Sequence, residues 1–256
     1  MTQLLNDPIT QLHPMIIIRD DKKIARYRTI GQVASFTGMG ALIVGMALIF
    51  VGDPQTVFYW QLAALLVGWM LSQVGIYLAQ RYVRQPRPDQ VLDEALEKVG
   101  RDGRIYHYIL PTPHVLLLPS GIIVIVAKYQ GGQITVQDDK WKQTGMGLRR
   151  FFGQEGIGNP TREAENSVAA IAHFLQKNAP QIEEVPIGAL IVFTTKGIKD
   201  LDLKGSSIPA MHYTKVKGFL KQQSRAKLPA ADYEAIRAAF DQKAGPLAEG
   251  VELASS

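Results

Sequence analysis

The sequence predicts two membrane-crossing helices followed by a cytoplasmic α/β domain, and three observations carry that expectation. Residues 29–52 and 54–80 contain no charged side chain. About 20 apolar residues suffice for a helix to cross a hydrocarbon core of about 30 Å. Beyond them, short β-branched runs alternate with stretches of helical periodicity, the pattern of a sheet flanked by helices. Between the two halves lies Arg84-Gln85-Pro86-Arg87-Pro88-Asp89, a stiff linker whose prolines cannot continue a helix.

The first apolar run reads VASFTGMGALIVGMALIFVG and the second FYWQLAALLVGWMLSQVGIYLA, with the polar turn Gly52-Asp53-Pro54-Gln55 between them. They are expected to form an antiparallel hairpin of helices at about residues 29–52 and 57–80, within a 29–81 membrane unit. Small residues recur at four-residue spacing (Ala34 and Gly38, Ala41 and Gly45, then Ala64, Gly68 and Ser72), which suits close helix contact. Arg19, Lys22, Lys23, Arg26 and Arg28 precede the first run, and Arg81, Arg84 and Arg87 follow the second. The connecting turn carries no cation, so the positive-inside bias places both termini in the cytoplasm. About thirty mostly polar residues precede the first run, unlike a cleavable signal peptide.

Composition narrows the chemistry. The 256 residues carry 28 basic and 23 acidic side chains, a net +5, mild enough to allow contact with phosphates or anionic lipid without implying either. With no cysteine, disulfides, thiolate zinc sites and cysteine nucleophiles are excluded. Five histidines show no close metal spacing and read as structural.

In the second half, Asp89 is placed to cap a helix over QVLDEALEKVG, whose apolar face is Val91, Leu92, Leu96 and Val99. Strands are expected at RIYHYIL, HVLLLP, IIVIVAK and QITVQ. The Gly131-Gly132 pair reads as a hairpin turn rather than a phosphate cradle, since no helix start follows it. A Gly-rich loop (residues 145–158) leads to Asn159-Pro160 and a helix through AENSVAAIAHFLQKN. ALIVF and MHYT read as further strands, and ADYEAIRAAFDQK as a final helix. The organisation is then residues 1–28 as a cytoplasmic segment, 29–81 as the hairpin, 82–88 as linker, 89–222 as the α/β domain and 223–256 as a helix and tail.

The order HVLLLPSGIIVIVAKYQGGQI, Trp141, Asn159-Pro160, a helix and ALIVF resembles the NERD, or nuclease-related, domain over roughly residues 89–222. The resemblance implies a restriction-endonuclease-like fold with a central mixed sheet flanked by helices. Bacterial members with a leading hairpin are similar over the whole chain, which implies a multi-pass protein of a prokaryotic cytoplasmic membrane. It also implies a metal-dependent nuclease site, an Asp at one strand start and a Glu-x-Lys at the end of the next. Two carboxylates would hold Mg²⁺ and the lysine would orient the attacking water. At those positions this chain has Pro113, Val126 and Lys128, so only the lysine matches. Glu163 stands where the family has Gln.

The expected function is therefore an inactive nuclease-fold module at the inner membrane face, binding nucleic acid or a protein partner and needing no cofactor. The alternative is an active, Mg²⁺-dependent tethered nuclease with relocated carboxylates drawn from Glu94, Glu97, Asp138, Asp139 and Glu163. A third reading is a structural component of a membrane assembly. Lys128 is either a solvated strand end or a phosphate-contacting remnant of the catalytic lysine. Asp138-Asp139-Lys140 reads as a solvated turn, and Trp141 as a core or rim anchor. Lys215, Lys217, Lys221, Arg225 and Lys227 form a run without acidic residues. That run is a solvated face, a nucleic-acid backbone contact or an anionic-lipid contact. Arg149 and Arg150, beside Phe151 and Phe152, carry the same choice of partners or pack against the domain.

Overall fold

The computed structural model describes residues 15–50, 54–97, 103–145, 147, 155–182, 184–222 and 226–255. Two long helices, α1 (Asp21–Ala47, extended by a 3₁₀ turn Leu48–Phe50) and α2 (Pro54–Leu78, ending in a π turn Ala79–Val83), pair as an antiparallel hairpin. Both are long and apolar enough to cross a membrane by length and composition. α1 starts earlier than its apolar run because the Asp20 carboxylate accepts from Lys23 N at 2.8 Å, capping the charged first turns onto the same helix. Small residues let the helices touch: a Cβ on Gly38 would lie 2.8 Å from Ser72 N, and one on Gly75 would collide with Ser35 Oγ. Large apolar side chains such as Phe36, Ile43, Trp60 and Trp69 point outward and are exposed.

The α/β part is built on a six-stranded mixed sheet of order β1-β2-β3-β4-β7-β9. β3 (His114–Leu118) and β4 (Gly121–Lys128) form an antiparallel hairpin, and β7 (Ile187–Phe193) runs parallel to β4. β4 lies at the centre and is buried on both faces, the reason it reads as an unbroken apolar run. Gly121 is required at its start. Its φ is +130°, and a Cβ there would come within 2.7 Å of Pro186 O, which accepts from Ile122 N at 3.0 Å.

Alternation along the strands sorts the layers. Val115, Leu117, Ile122 and Val124 face α4 (Pro160–Asn178) and α6 (Ala230–Ala244). Leu116, Ile123, Ile125, Leu190 and Val192 face α3 (Pro88–Leu96) and α5 (Tyr213–Gln222). The sheet is thus sandwiched between helices, with β9 (Ala210–His212) on one edge.

The other edge is β1 (Ile16–Arg19), which precedes the hairpin and pairs in parallel with β2 (Arg104–His107), so Ile16 lies opposite Arg104. The segment before α1 therefore belongs to the sheet. The C-terminal region does too: Phe240 on α6 stacks edge-on against Tyr106 at 5.3 Å, and α7 (Pro246–Ser255) packs on β1.

Two local expectations are corrected. Gly131-Gly132 is not a hairpin turn, because β5 (Gly132–Gln137) leaves the main sheet. β5 starts a second one of order β6-β5-β8, with β6 at Lys140–Thr144 and β8 at Ile198–Asp202. The glycines instead allow a corner where Gly132 N donates to Gly197 O at 3.3 Å. Asp89 does not cap α3: it sits inside the first turn, fully buried, after Arg87 and Pro88. The Asp138-Asp139 pair makes the β5–β6 turn with both residues at positive φ, and Asp139 is engaged by hydrogen bonds described below.

Candidate functional site

The β3–β4 pairing reaches Val115 opposite Val124; Pro113 precedes β3, and Val126 and Lys128 continue β4 beyond the pair on one face. The N-terminal end of α4 covers Val126 and Lys128, whereas Pro113 lies outside the strand and is exposed. Asn159 caps that helix, accepting from Arg162 N at 3.1 Å, and Pro160 opens it. The first helical turn carries Glu163 back over Lys128.

Lys128 is not a solvated strand end. It is buried, and its Nζ donates to Ile157 O at 3.0 Å and to Glu163 Oε1 at 2.6 Å. Burial pushes its pKa below the usual lysine value, against the opposing pull of the Glu163 carboxylate. Val126 is buried in an apolar group with Ile134, Ile157, Ala164, Ile191 and Phe193. Pro113 is exposed, and its carbonyl accepts from Tyr108 N at 2.7 Å.

The segment 155–158 is fastened over this point. Ile157 N donates to Gln143 Oε1 at 3.0 Å, and Gln130 Nε2 to Gly156 O at 3.3 Å. Glu155 accepts from the Tyr129 hydroxyl and from Arg81 Nη1 at 2.8 Å, so the end of α2 reaches this edge of the domain. Burial favours its neutral form, yet these donors hold its pKa below the usual carboxylate value. Beside it, Trp141 Nε1 donates to Thr161 Oγ1 at 2.8 Å, which donates to Asp139 Oδ1 at 2.9 Å. Ser207 N reaches the same oxygen at 2.9 Å. Trp141 is an anchor between the second sheet and α4.

The remaining carboxylates are scattered. Glu94 and Glu97 lie on and just after α3, across the sheet from Lys128. Among the described residues no group of three or more His, Asp or Glu side chains gathers where it could hold a metal ion.

The basic run is also dispersed. Lys215, Lys217 and Lys221 lie on α5, on the face of the sheet opposite Lys128. Lys227 is exposed beside Leu228, whose N donates to Pro119 O at 2.8 Å, at the far end of β4. Arg149, Arg150 and Arg225 lie outside the described residues.

A second polar centre went unread in the sequence. On the α3 face, Arg19 Nε lies 2.9 Å from the buried Asp89 carboxylate, out of line for a hydrogen bond, and Arg19 Nη2 contacts Asp93. Arg87 grips Asp89 through two nitrogens at 3.0 and 2.9 Å. His107 Nε2 sits 2.9 Å from Asp93, and its Nδ1 2.8 Å from His114 Nδ1. Burial holds the His114 pKa well below the usual histidine value. Above this group, Lys23 Nζ donates to Tyr108 O at 2.7 Å, and Tyr82 stacks between Tyr27 and Tyr108, each at 5.2 Å. Hairpin and domain are joined here.

Residues 89–194 match the family model of the nuclease-related domain. The chain carries a NERD domain. Its mixed sheet flanked by helices agrees with a nuclease-like fold. No curated protein and no solved structure matches the chain.

Proposed function

We propose that the protein is a membrane-anchored NERD module that has lost the family's metal chemistry and serves at the inner membrane face as a binding domain for nucleic acid or a protein partner. The carrying observation is the geometry around Lys128. The two positions that would supply carboxylates are Pro113 and Val126, which offer no side-chain oxygen to a hard cation. The one charged position that remains is buried against Glu163, so its cation is neutralised within the fold. This donor set does not suit Mg²⁺.

The anchoring half of the reading draws support from the hairpin. Apolar side chains cover its outside, and β1 and β2, which flank it in sequence, share one sheet. Both ends of the hairpin therefore lie on the domain's side, as a cytoplasmic domain with both termini inside requires. Exposed Lys215 and Lys221 on α5 supply the candidate contact for phosphates.

The full chain in detergent, given Mg²⁺ or Mn²⁺, is expected to leave plasmid and single-stranded DNA intact. Cleavage that disappears in Lys128→Ala would overturn the inactive assignment. Fluorescence anisotropy with labelled DNA and RNA at low salt tests the ligand. Changing Lys215, Lys217 and Lys221 to Gln should flatten the salt dependence by about 1 in log–log slope for each phosphate that the chain no longer neutralises. Absence of binding at low salt would leave a protein as the partner.

A further inference from the structure

A cavity of about 220 Å³ opens where the end of α2 meets the C-terminal ends of β4 and β7. Its polar lining is asymmetric in charge: Arg84 and Lys196 on the one hand, Glu94 on the other. Arg84 and Lys196 are exposed, and among the described residues neither is ion-paired with a carboxylate. The Arg84 side chain donates to the neutral Gln80 Oε1, at 3.2 Å. Of the hydroxyls that line it, Thr194 donates to Lys128 O and Tyr129 to Glu155. The charged groups the cavity offers a ligand are two exposed cations and one exposed carboxylate.

Its location is equally specific. Gln80 and Arg84 follow directly on the outward-facing apolar surface of α2, in which Val74 and Tyr77 are still exposed. If the hairpin spans the bilayer, the cavity lies at headgroup depth, where a cation meets lipid phosphate.

We propose that this cavity holds the headgroup of an amine-bearing phospholipid. Arg84 and Lys196 bind its phosphate, and Glu94 accepts a hydrogen bond from its ammonium. Guanidinium–phosphate and carboxylate–ammonium contacts are both charge-assisted, and together they select a zwitterion with a free N–H over one that is fully methylated. The inference rests on the anchored reading and adds a ligand to it. It concerns a different surface from the basic run on α5.

The test uses the full chain in a mild nonionic detergent. Short-chain phosphatidylethanolamine, phosphatidylcholine and phosphatidylglycerol are offered in equal amounts, and retained adducts are counted by native mass spectrometry. The ethanolamine lipid is expected to dominate. The double variant Arg84→Ala/Lys196→Ala should weaken its retention about tenfold, a loss of about 1.4 kcal/mol. Glu94→Gln should erase the preference for ethanolamine over choline while keeping phosphate-dependent retention. Equal retention of all three lipids by the unaltered chain would overturn the proposal, and so would a double variant that binds as well as the parent. Free phosphoethanolamine or inorganic phosphate competing at concentrations comparable to the lipid would overturn the lipid as the source. Separately, a chain that leaves membranes in alkaline carbonate without detergent refutes the anchoring itself. One that stays but shows no headgroup preference refutes only the cavity's assignment.

Discussion

Two charged centres lie on opposite faces of one sheet, and they are built on different terms. Around Asp89, two arginines, two aspartates and a histidine pair compensate one another, with the central carboxylate fully buried. Around Lys128, a single buried cation depends on one carboxylate that remains half-exposed, plus a backbone carbonyl. The first is a joint between hairpin and domain, and charges cannot be removed from it singly. The second is a buried lysine whose charge is met by the first turn of α4 and by the backbone of residue 157.

The largest effect tests the joint. Asp89→Asn leaves Arg19 and Arg87 without their shared counter-charge and is expected to cost about 3–5 kcal/mol in chemical denaturation of the full chain. Burial raises the Asp89 pKa, but the Arg87 hydrogen bonds and the Arg19 and Arg87 charges outweigh it, so the folded value is depressed. Its contribution is therefore fully present above the unfolded carboxylate pKa of about 3.9 and is lost as pH falls through the folded value. The wild-type stability curve should show this acid limb, and the variant should lack it. A variant within about 0.5 kcal/mol of wild type would show that the joint is ordinary surface chemistry.

The next pair measures the asymmetry at Lys128. Glu163→Gln strips the carboxylate from a buried ammonium and should cost about 1–3 kcal/mol. Lys128→Met removes the charge along with its need for a partner and should stay within about 1 kcal/mol of wild type. Because the folded lysine pKa is lowered, the unfolded chain binds more protons between the two values. Stability from this group thus rises with pH up to the unfolded value of about 10.4, a gain that Lys128→Met abolishes. Equal losses in the two variants would mean that the pair is valued for itself. Beside it, Thr161→Val breaks the link from Trp141 to Asp139 and should cost about 1–2 kcal/mol in the same denaturation measurement.

Much of this was legible along the chain. The apolar runs, the small residues between the helices, and the β3–β4–α4–β7 order follow from periodicity and from Asn159-Pro160. Lys128 and Glu163 could each be singled out from sequence, but their contact could not. It depends on how Asn159 starts α4 and turns its first residues over the end of β4. The joint was hidden for a similar reason. Asp89 and Asp93 lie one helical turn apart, but Arg19 belongs to a strand on the other side of the hairpin. His107 and His114 meet only because the β2–β3 register sets them opposite each other. The short strands β6 and β8 are mostly polar and carry little local signal, whereas β1 is apolar but has its partner β2 beyond the whole hairpin.

The pairing of Ile16 with Arg104 also sets an order of assembly. β1 leaves the ribosome before either apolar helix, and the strand it must join is made only after both. Through that interval it is an apolar edge with no neighbour, the condition under which chains associate with one another. The hairpin, by folding on itself, returns the end of α2 to the start of α1 and shortens the search that β1 must complete. A chain begun at the linker would forgo that closure and present β2 as an open edge.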